Sequence, residues 1–301
     1  MRAPIVAAYQ YPYNASTPPV YTLYWLTDLH LGARACREDL LRADIARIAA
    51  DPNAIVGLGG DIIDGIARKG DKRHKESTYA PWLHGEDDVL AAQVDYADAL
   101  LSPIASKIVA VTSGNREFVN TQYAGNDVYS ALISRIAQRK GVETGEIALG
   151  VHGFISLTFR SVAATGTTGR GYGVTIYAHH GYGGGALAGG DALHLQRLLR
   201  GCDADLVLVG HRHRFRMIED TVMGVSQNLR HVVQRSRLAV MMPSYLDNTI
   251  KATTRMGVPI NTYAEEKGYG GGAHGVVPIA IFPQDRSFEV RAPSFGTREI
   301  A

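Results

Sequence analysis

Five short stretches of the sequence carry side chains of the kind that hold metal ions. They are Asp28-Leu29-His30, Gly60-Asp61, Gly114-Asn115, His179-His180 and Gly210-His211-Arg212-His213. Asp and Asn supply oxygen donors and His supplies imidazole nitrogen. A pair of divalent cations needs this mixture to bind and activate water. Taken singly, an Asp-x-His or a Gly-Asp is ordinary polar surface or a turn. Five in order, each at the end of an apolar run, point instead to one shared centre. Residues two apart, as in Asp28/His30 and His211/His213, project to the same side in extended backbone. Each such pair is therefore expected to bring two donors to one place. Gly32, Gly60, Gly114 and Gly210 allow the sharp turns that aim them.

The elements that must position these groups are legible from periodicity. Val20–Leu26 and Ala54–Leu58 read as buried strands. Glu38–Ala50 has apolar Leu40, Leu41, Ile45 and Ile48 at helical spacing, with Pro52 just beyond. Val89–Leu101 and Val128–Gln138 read as helices and Lys107–Thr112 as a strand. A polar stretch from about 66 to 88 reads as an inserted loop. The alternation predicts an α/β fold with a largely parallel first sheet. The second half, with strands at Phe154–Arg160, Val174–Ala178, Leu206–Val209, Phe215–Ile218 and Leu238–Met242 and a helix at Ala192–Leu199, predicts a second sheet packed on the first. A flexible segment, Ala163–Gly173, separates the first two of these strands. A closing hairpin is expected at Ile279–Phe282 and Phe288–Arg291, in a strand-rich C-terminal region of about 215–295. Ligands in open α/β sheets bind beyond the carboxyl ends of strands, where these donors fall.

Composition narrows the class. Of 301 residues 46% are hydrophobic and 20% charged, which fits a soluble globule with a large core. No charge block or Pro/Ser linker divides the chain, so one domain over 1–301 is expected. The net charge of +2 is too small to argue for a nucleic-acid partner. Cys36 and Cys202 match no disulfide or zinc pattern. The first residues lack a signal-peptide pattern, and no apolar run approaches the roughly 20 residues of a membrane span. A cytoplasmic protein without a membrane partner is the expectation; the oligomeric state is open. The hexapeptide GYGGGA occurs twice, at 181–186 and 268–273. Two unrelated glycine-rich loops are the preferred reading. The alternative places both over one site.

The ordered set resembles the signature of the calcineurin-like metallophosphoesterase superfamily: DxH, GDxxD, GNH(D/E), a lone His and GHxH. Here these read DLH (Asp28, His30), GDIID (Asp61, Asp64), GNRE (Asn115, Glu117), AHHG (His179, His180) and GHRH (His211, His213). The resemblance spans about two-thirds of the chain. It implies an αββα sandwich of two mixed sheets flanked by helices. It also implies two divalent metal ions, with Mn2+ favoured and Fe, Ni, Co or Zn as alternatives. Asp28, His30, Asp61 and His213 would hold the first metal. Asp61 would bridge to a second, held also by Asn115, His179 and His211. His179 is preferred over His180 because it comes first after its strand. Asp64 and Glu117 would orient the histidines and the loop. The implied activity is phosphoester hydrolysis by a hydroxide shared between the two metals.

One position departs from the pattern. Arg116 stands where the family's GNH histidine serves the leaving oxygen. A guanidinium gives up no proton near neutral pH, yet it grips phosphate through paired hydrogen bonds. The expectation is a phosphodiesterase biased toward good leaving groups, such as aryl esters or 2′,3′-cyclic nucleotides. Arg116 and Arg212 would then bind substrate. His180, or else His74 or His84, would replace the missing acid. A nuclease on the same scaffold and a non-catalytic interaction module are the alternatives. For a nucleotide or nucleic-acid substrate, Arg212, Arg214 and Arg216 are expected on one strand face. Arg230, Arg235 and Arg237 follow, and Lys69, Lys72, Arg73 and Lys75 lie in the inserted loop. Tyr79, Trp82 or Tyr123 would stack on a base.

Overall fold

The structure is a computed structural model. It describes residues 6–66, 78–125, 127–162, 168–183, 187–225, 230–247, 253–255, 258–260 and 272–292. Strand β1 (Val6–Asn14) leads to β2 (Tyr21–Leu26), helix α1 (Glu38–Ala50) and β3 (Ala54–Leu58). Next come α2 (Val89–Leu101), β4 (Ile108–Thr112), α3 (Asn115–Val119), α4 (Val128–Lys140), α5 (Thr144–Ile147) and β5 (Ala148–Gly150). The long hairpin β6 (His152–Val162) and β7 (Thr168–His179) precedes α6 (Ala188–Gly201) and β8 (Leu206–Val209). Hairpins β9 (Arg216–Val225) with β10 (Val232–Met241), β11 (Thr253–Arg255) with β12 (Val258–Ile260), and β13 (Pro278–Phe282) with β14 (Ser287–Val290) complete the order.

Two six-stranded sheets result, β1-β6-β7-β8-β10-β9 and β14-β13-β2-β3-β4-β5. The strands from β2 to β5 run parallel and β13 joins antiparallel, while the other sheet mixes both senses. One apolar cluster, with Trp25, Ile55, Ile155, Leu157, Ile176, Leu208 and Ile279, lies between the sheets. A second joins β2 to β4 with α1, α2 and α4, and a third joins β8 and β10 to α6. The expected α/β sandwich of two mixed sheets with helices outside is the fold observed. Central strands such as β2 and β3 are buried along their whole length, because both faces are covered.

Helix boundaries follow local chemistry. Asp88 caps α2 by accepting from the Ala91 amide, and Asp127 caps α4 by accepting from Ser130. Helix α4 runs two residues past its expected end because Gly141, at φ +77, supplies the left-handed stop. Three expectations need correction. Residues 168–173 belong to β7 rather than to a flexible connector. The C-terminal hairpin β13–β14 joins the sheet of the first half. Strand β1 was not expected from sequence: it holds Pro12 and pairs only with β6, an edge position that tolerates a missing donor. Within the polar stretch 66–88, residues 67–77 lie outside the described residues, and Pro81–Leu83 forms one short helical turn.

Candidate metal centre

The described donors meet in two groups. Asp28, His30 and His213 form one; Asp61, His180 and His211 form the other. All come from loops just beyond the ends of β2, β3, β7 and β8. Five of these six residues have left-handed backbone: Asp28 (φ +53), His30 (+50), Asp61 (+48), His211 (+70) and His213 (+53). The expected extended geometry is therefore wrong, and tight turns aim each side chain instead. Arg286, in the turn of the closing hairpin, is the remaining non-glycine residue with positive φ among the described residues. Such backbone costs about 1–3 kcal/mol per residue and persists only where the surroundings impose it.

Glycines let these loops touch. A Cβ on Gly114 would lie 2.1 Å from the Asp61 amide nitrogen and 2.2 Å from its Oδ1. One on Gly210 would lie 2.2 Å from Thr27 Oγ1 and 2.6 Å from Asp28 Oδ2. Gly60 combines φ +83 with Gly114 backbone 2.5 Å from its missing Cβ.

Each carboxylate is half spent and half open. Asp28 Oδ2 accepts from Thr27 Oγ1 (2.6 Å) and from the His211 amide (2.8 Å). Its Oδ1 is buried without a hydrogen bond, 3.2 Å from His213 Nε2. Asp61 Oδ1 accepts from the Arg116 amide at 2.8 Å, leaving Oδ2 3.8 Å from His30 Nε2 and 3.6 Å from His180 Nε2. That oxygen faces both groups. His30 Nε2 and His213 Nε2 face each other at 3.2 Å, as do Asn115 Nδ2 and His211 Nδ1 at 2.8 Å. His180 donates from Nδ1 to the Gly59 carbonyl at 2.7 Å, which aims its unpartnered Nε2 at Asp61. Asp28 Oδ1 and His180 Nε2 are buried without a hydrogen-bond partner, and converging donors of this type fit divalent cations.

The electrostatics agree. Burial opposes charge on His180, but Asp61, Asp28 and the Gly59 carbonyl overcome it and lift the imidazole to about 10. Burial likewise opposes ionisation of Asp61 and Asp28. The His180 and His30 imidazoles nevertheless hold Asp61 far below the ordinary carboxylate range, and His213 brings Asp28 to about 2. A cation bound at His180 would take the place of that proton.

Glu117 organises the loop. Its two carboxylate oxygens accept from the amides of Asp61 (3.0 Å), Ile62 (2.7 Å), Ile63 (3.4 Å) and Gly114 (2.9 Å). Burial, then Asp61, raise it to about 7 against the pull of His180 and of the Ile62 amide. Asp64 Oδ1 stands 3.5 Å from His30 Nδ1 and 3.8 Å from an Arg116 terminal nitrogen.

Several expectations are corrected by this geometry. His180 joins the donor group and His179 does not. The two adjacent residues point to opposite sides: His179 stacks on His152 (5.8 Å, 5°), and its Nδ1 accepts from the Gly181 amide at 2.7 Å. His180 is also too buried and too engaged to serve a leaving group. Of the other expected acids, His84 is exposed after the Pro81–Leu83 turn, and His74 lies outside the described residues. Arg212 donates to buried Asp191 at 2.6 Å and is 12% exposed; Arg214 and Arg216 turn to the same carboxylate at 3.5 and 3.9 Å. Arg212 therefore braces α6 against the loop instead of reaching for substrate. Arg235 pairs with Asp203 and Arg237 with Asp220; Lys69, Lys72, Arg73 and Lys75 are outside the described residues.

Of the expected base-stacking rings, Tyr79 is buried with its hydroxyl on the Ile66 carbonyl. Trp82 stacks on Tyr96 and donates to Glu38, over an acidic groove of Glu86, Asp87, Asp88 and Asp95 that suits no phosphate. The Tyr123 side chain is outside the described residues.

Of the two GYGGGA copies, Gly181 and Gly272 lie against the 211–213 turn: a Cβ on Gly181 would lie 2.9 Å from His211 Cβ, and one on Gly272 2.7 Å from the His213 carbonyl. Residues 184–186 and 268–271 of the two copies lie outside the described residues.

No family model and no curated protein matches the sequence significantly. Structural similarity is weak. A single-site variant of Vps29 from Entamoeba histolytica aligns at TM-score 0.38 and 12% identity, covering 91% of this chain and 99% of that one. A conserved Streptococcus pneumoniae protein, described as a predicted phosphoesterase, aligns at 0.32 and 12%, covering 88% and 85%. The NAD nucleotidase of Haemophilus influenzae aligns at 0.36 and 10%, covering 91% and 49%. Likenesses at this level carry no weight for activity. No described helix is long and apolar enough to cross a membrane.

Proposed function

We propose that this protein is a metal-dependent phosphoric ester hydrolase, and specifically a phosphodiesterase. The observation that carries the reading is Asp61 Oδ2, an open carboxylate oxygen facing His30 of one donor group and His180 of the other. Asp28, His30 and His213 would hold one divalent cation and Asn115, His180 and His211 the second, with Asp61 between them. Two bound cations, Mn2+ favoured over Fe, Ni, Co or Zn, supply an activated water and neutralise phosphoryl charge.

The chain's own residues do the rest. Glu117 fixes the amides of residues 61–63 and so the direction of Asp61. Asp64 steadies His30. Arg116 is 19% exposed, with one terminal nitrogen near Asp64 and the other, Nη1, buried without a partner. That free donor suits a non-bridging phosphoryl oxygen. No described histidine outside the donor set meets Arg116, so the described residues place no imidazole for a basic leaving group. Diesters with acidic leaving groups are then the favoured substrates.

With added Mn2+, Ni2+ or Zn2+, bis-p-nitrophenyl phosphate should be cleaved well and a simple alkyl monoester poorly. Arg116→His should raise the alkyl rate about 10²-fold, the low end of what a positioned acid contributes. Equal wild-type rates on both substrates would remove the diesterase preference. No hydrolysis with any metal would remove the enzyme reading and leave an interaction module. A nuclease is not favoured, because Arg212, Arg235 and Arg237 are engaged by carboxylates of the chain itself.

A further inference from the structure

Among the described residues, two aromatic side chains stand exposed: Phe118 at 50% and Tyr182 at 53%. Every other described Phe, Tyr or Trp ring is at least half covered, so this exposure is selective. Each is close in sequence to a member of the donor set. Phe118 follows Asn115 by three residues on α3, and residues so spaced share a helix face; both are exposed. Tyr182 lies in the loop after β7, two residues past His180. The next carbonyl, that of Gly183, meets His211 Nε2 at 2.9 Å. Asn115 and His211 touch at 2.8 Å. Phe118 thus lies one helical turn from Asn115, and Tyr182 lies in the loop whose Gly183 carbonyl meets His211.

Tyr182 is held rather than loose. His194 meets its ring edge-on at 4.6 Å and 83°, and His179 lies tilted at 5.9 Å. A ring supported in this way offers its remaining surface to a flat partner at little cost in side-chain entropy. Beside it, His194 Nε2 is buried with no hydrogen-bond partner among the described residues, in a side chain 5% exposed overall. A polar atom so placed suits a ligand's edge. No described carboxylate is open here, since Asp191 is engaged by Arg212.

We propose that Tyr182, with Phe118 as a second exposed ring, seats a nucleobase, so that the substrate is a nucleotide phosphodiester. This inference rests on the phosphodiesterase reading above. Stacking of a base on an aromatic side chain tolerates any base, because every base presents a π face. The seat is thus expected to select for a base without selecting which one.

The test compares two five-membered cyclic phosphodiesters, adenosine 2′,3′-cyclic phosphate and methyl ribofuranoside 2,3-cyclic phosphate, which share the sugar and differ in the base. Wild type should show the higher kcat/KM on the nucleotide, chiefly through KM. Tyr182→Ala should cut that preference about tenfold, and Tyr182→Phe should keep it, since the stacking surface stays. Phe118→Ala should cut it in the same direction. An unchanged preference in Tyr182→Ala, or an equal loss on both esters, overturns the seat. If wild type cleaves neither ester, the hydrolase reading fails by itself. Calorimetry of the metal-loaded protein then decides the seat: tighter binding of AMP than of ribose 5-phosphate, lost in Tyr182→Ala, upholds it, and equal binding overturns it.

Discussion

Asp61→Asn is expected to lower phosphodiester hydrolysis by about 10²–10³-fold and to drop metal content to one ion per chain or fewer. The substitution isolates one atom. Asn tolerates left-handed backbone better than most residues, so φ +48 at position 61 is kept. Its carbonyl oxygen still accepts from the Arg116 amide in place of Oδ1. What is lost is the charged Oδ2 that faces both His30 and His180. Because that oxygen serves both groups, both should weaken together. The far-ultraviolet circular dichroism should match wild type, and metal analysis with a Mn2+-supplemented diesterase assay reads the rest. A variant with two ions and full rate would show that Asp61 is not shared.

Gly114→Ala is expected to destabilise the protein by about 3 kcal/mol and to lower Tm by roughly 6–10 °C. The new methyl would sit 2.1 Å from the Asp61 amide nitrogen and 2.8 Å from Glu117 Oε2. These contacts are backbone and a carboxylate tied by several amides, so neither can swing aside. Relief requires moving the Gly60–Asp61 turn, which also moves the candidate ligand. Loss of stability and of metal should therefore arrive together. Gly145 in α5 has nothing within 4 Å of its missing Cβ, and Gly145→Ala is the matched control, expected within about 0.5 kcal/mol of wild type. Thermal unfolding of both variants checks the contrast. Equal melting of Gly114→Ala and wild type would mean the loops are looser than their contacts imply.

The sequence made the central layers easy to read. Strand β3 and helices α1 and α2 fall where their apolar periodicity places them, because each buries a full face. Strands β9 and β10 extend well beyond the expected Phe215–Ile218 and Leu238–Met242. Their outer halves are exposed, as at Met223 and Val232, so burial writes no pattern there. Strand β1 was hidden by Pro12 for a similar reason: an edge strand need not look like a core strand.

The donor set was legible as residue types, but not as geometry. Nothing in the order His179-His180 says which imidazole faces the sheet interface. The answer lies in the Gly59 carbonyl, which pairs with His180 Nδ1 from 121 residues away. The left-handed turns at Asp28, His30, Asp61, His211 and His213 were equally hidden, since Asp and His carry no mark of them beyond the neighbouring glycines. Arg212 looked available for substrate because Asp191 lies 21 residues earlier, on α6. Phe118 and Tyr182 escaped notice because exposure, which singles them out, is not written in composition.

Anomalous diffraction from crystals of the protein loaded with Mn2+ tests the two-ion centre most directly. Two peaks are predicted: one among Asp28, His30 and His213, the other among Asn115, His180 and His211, each within bonding distance of Asp61. A map with no peak at Asp61, or with an ion on His179 instead of His180, would contradict it.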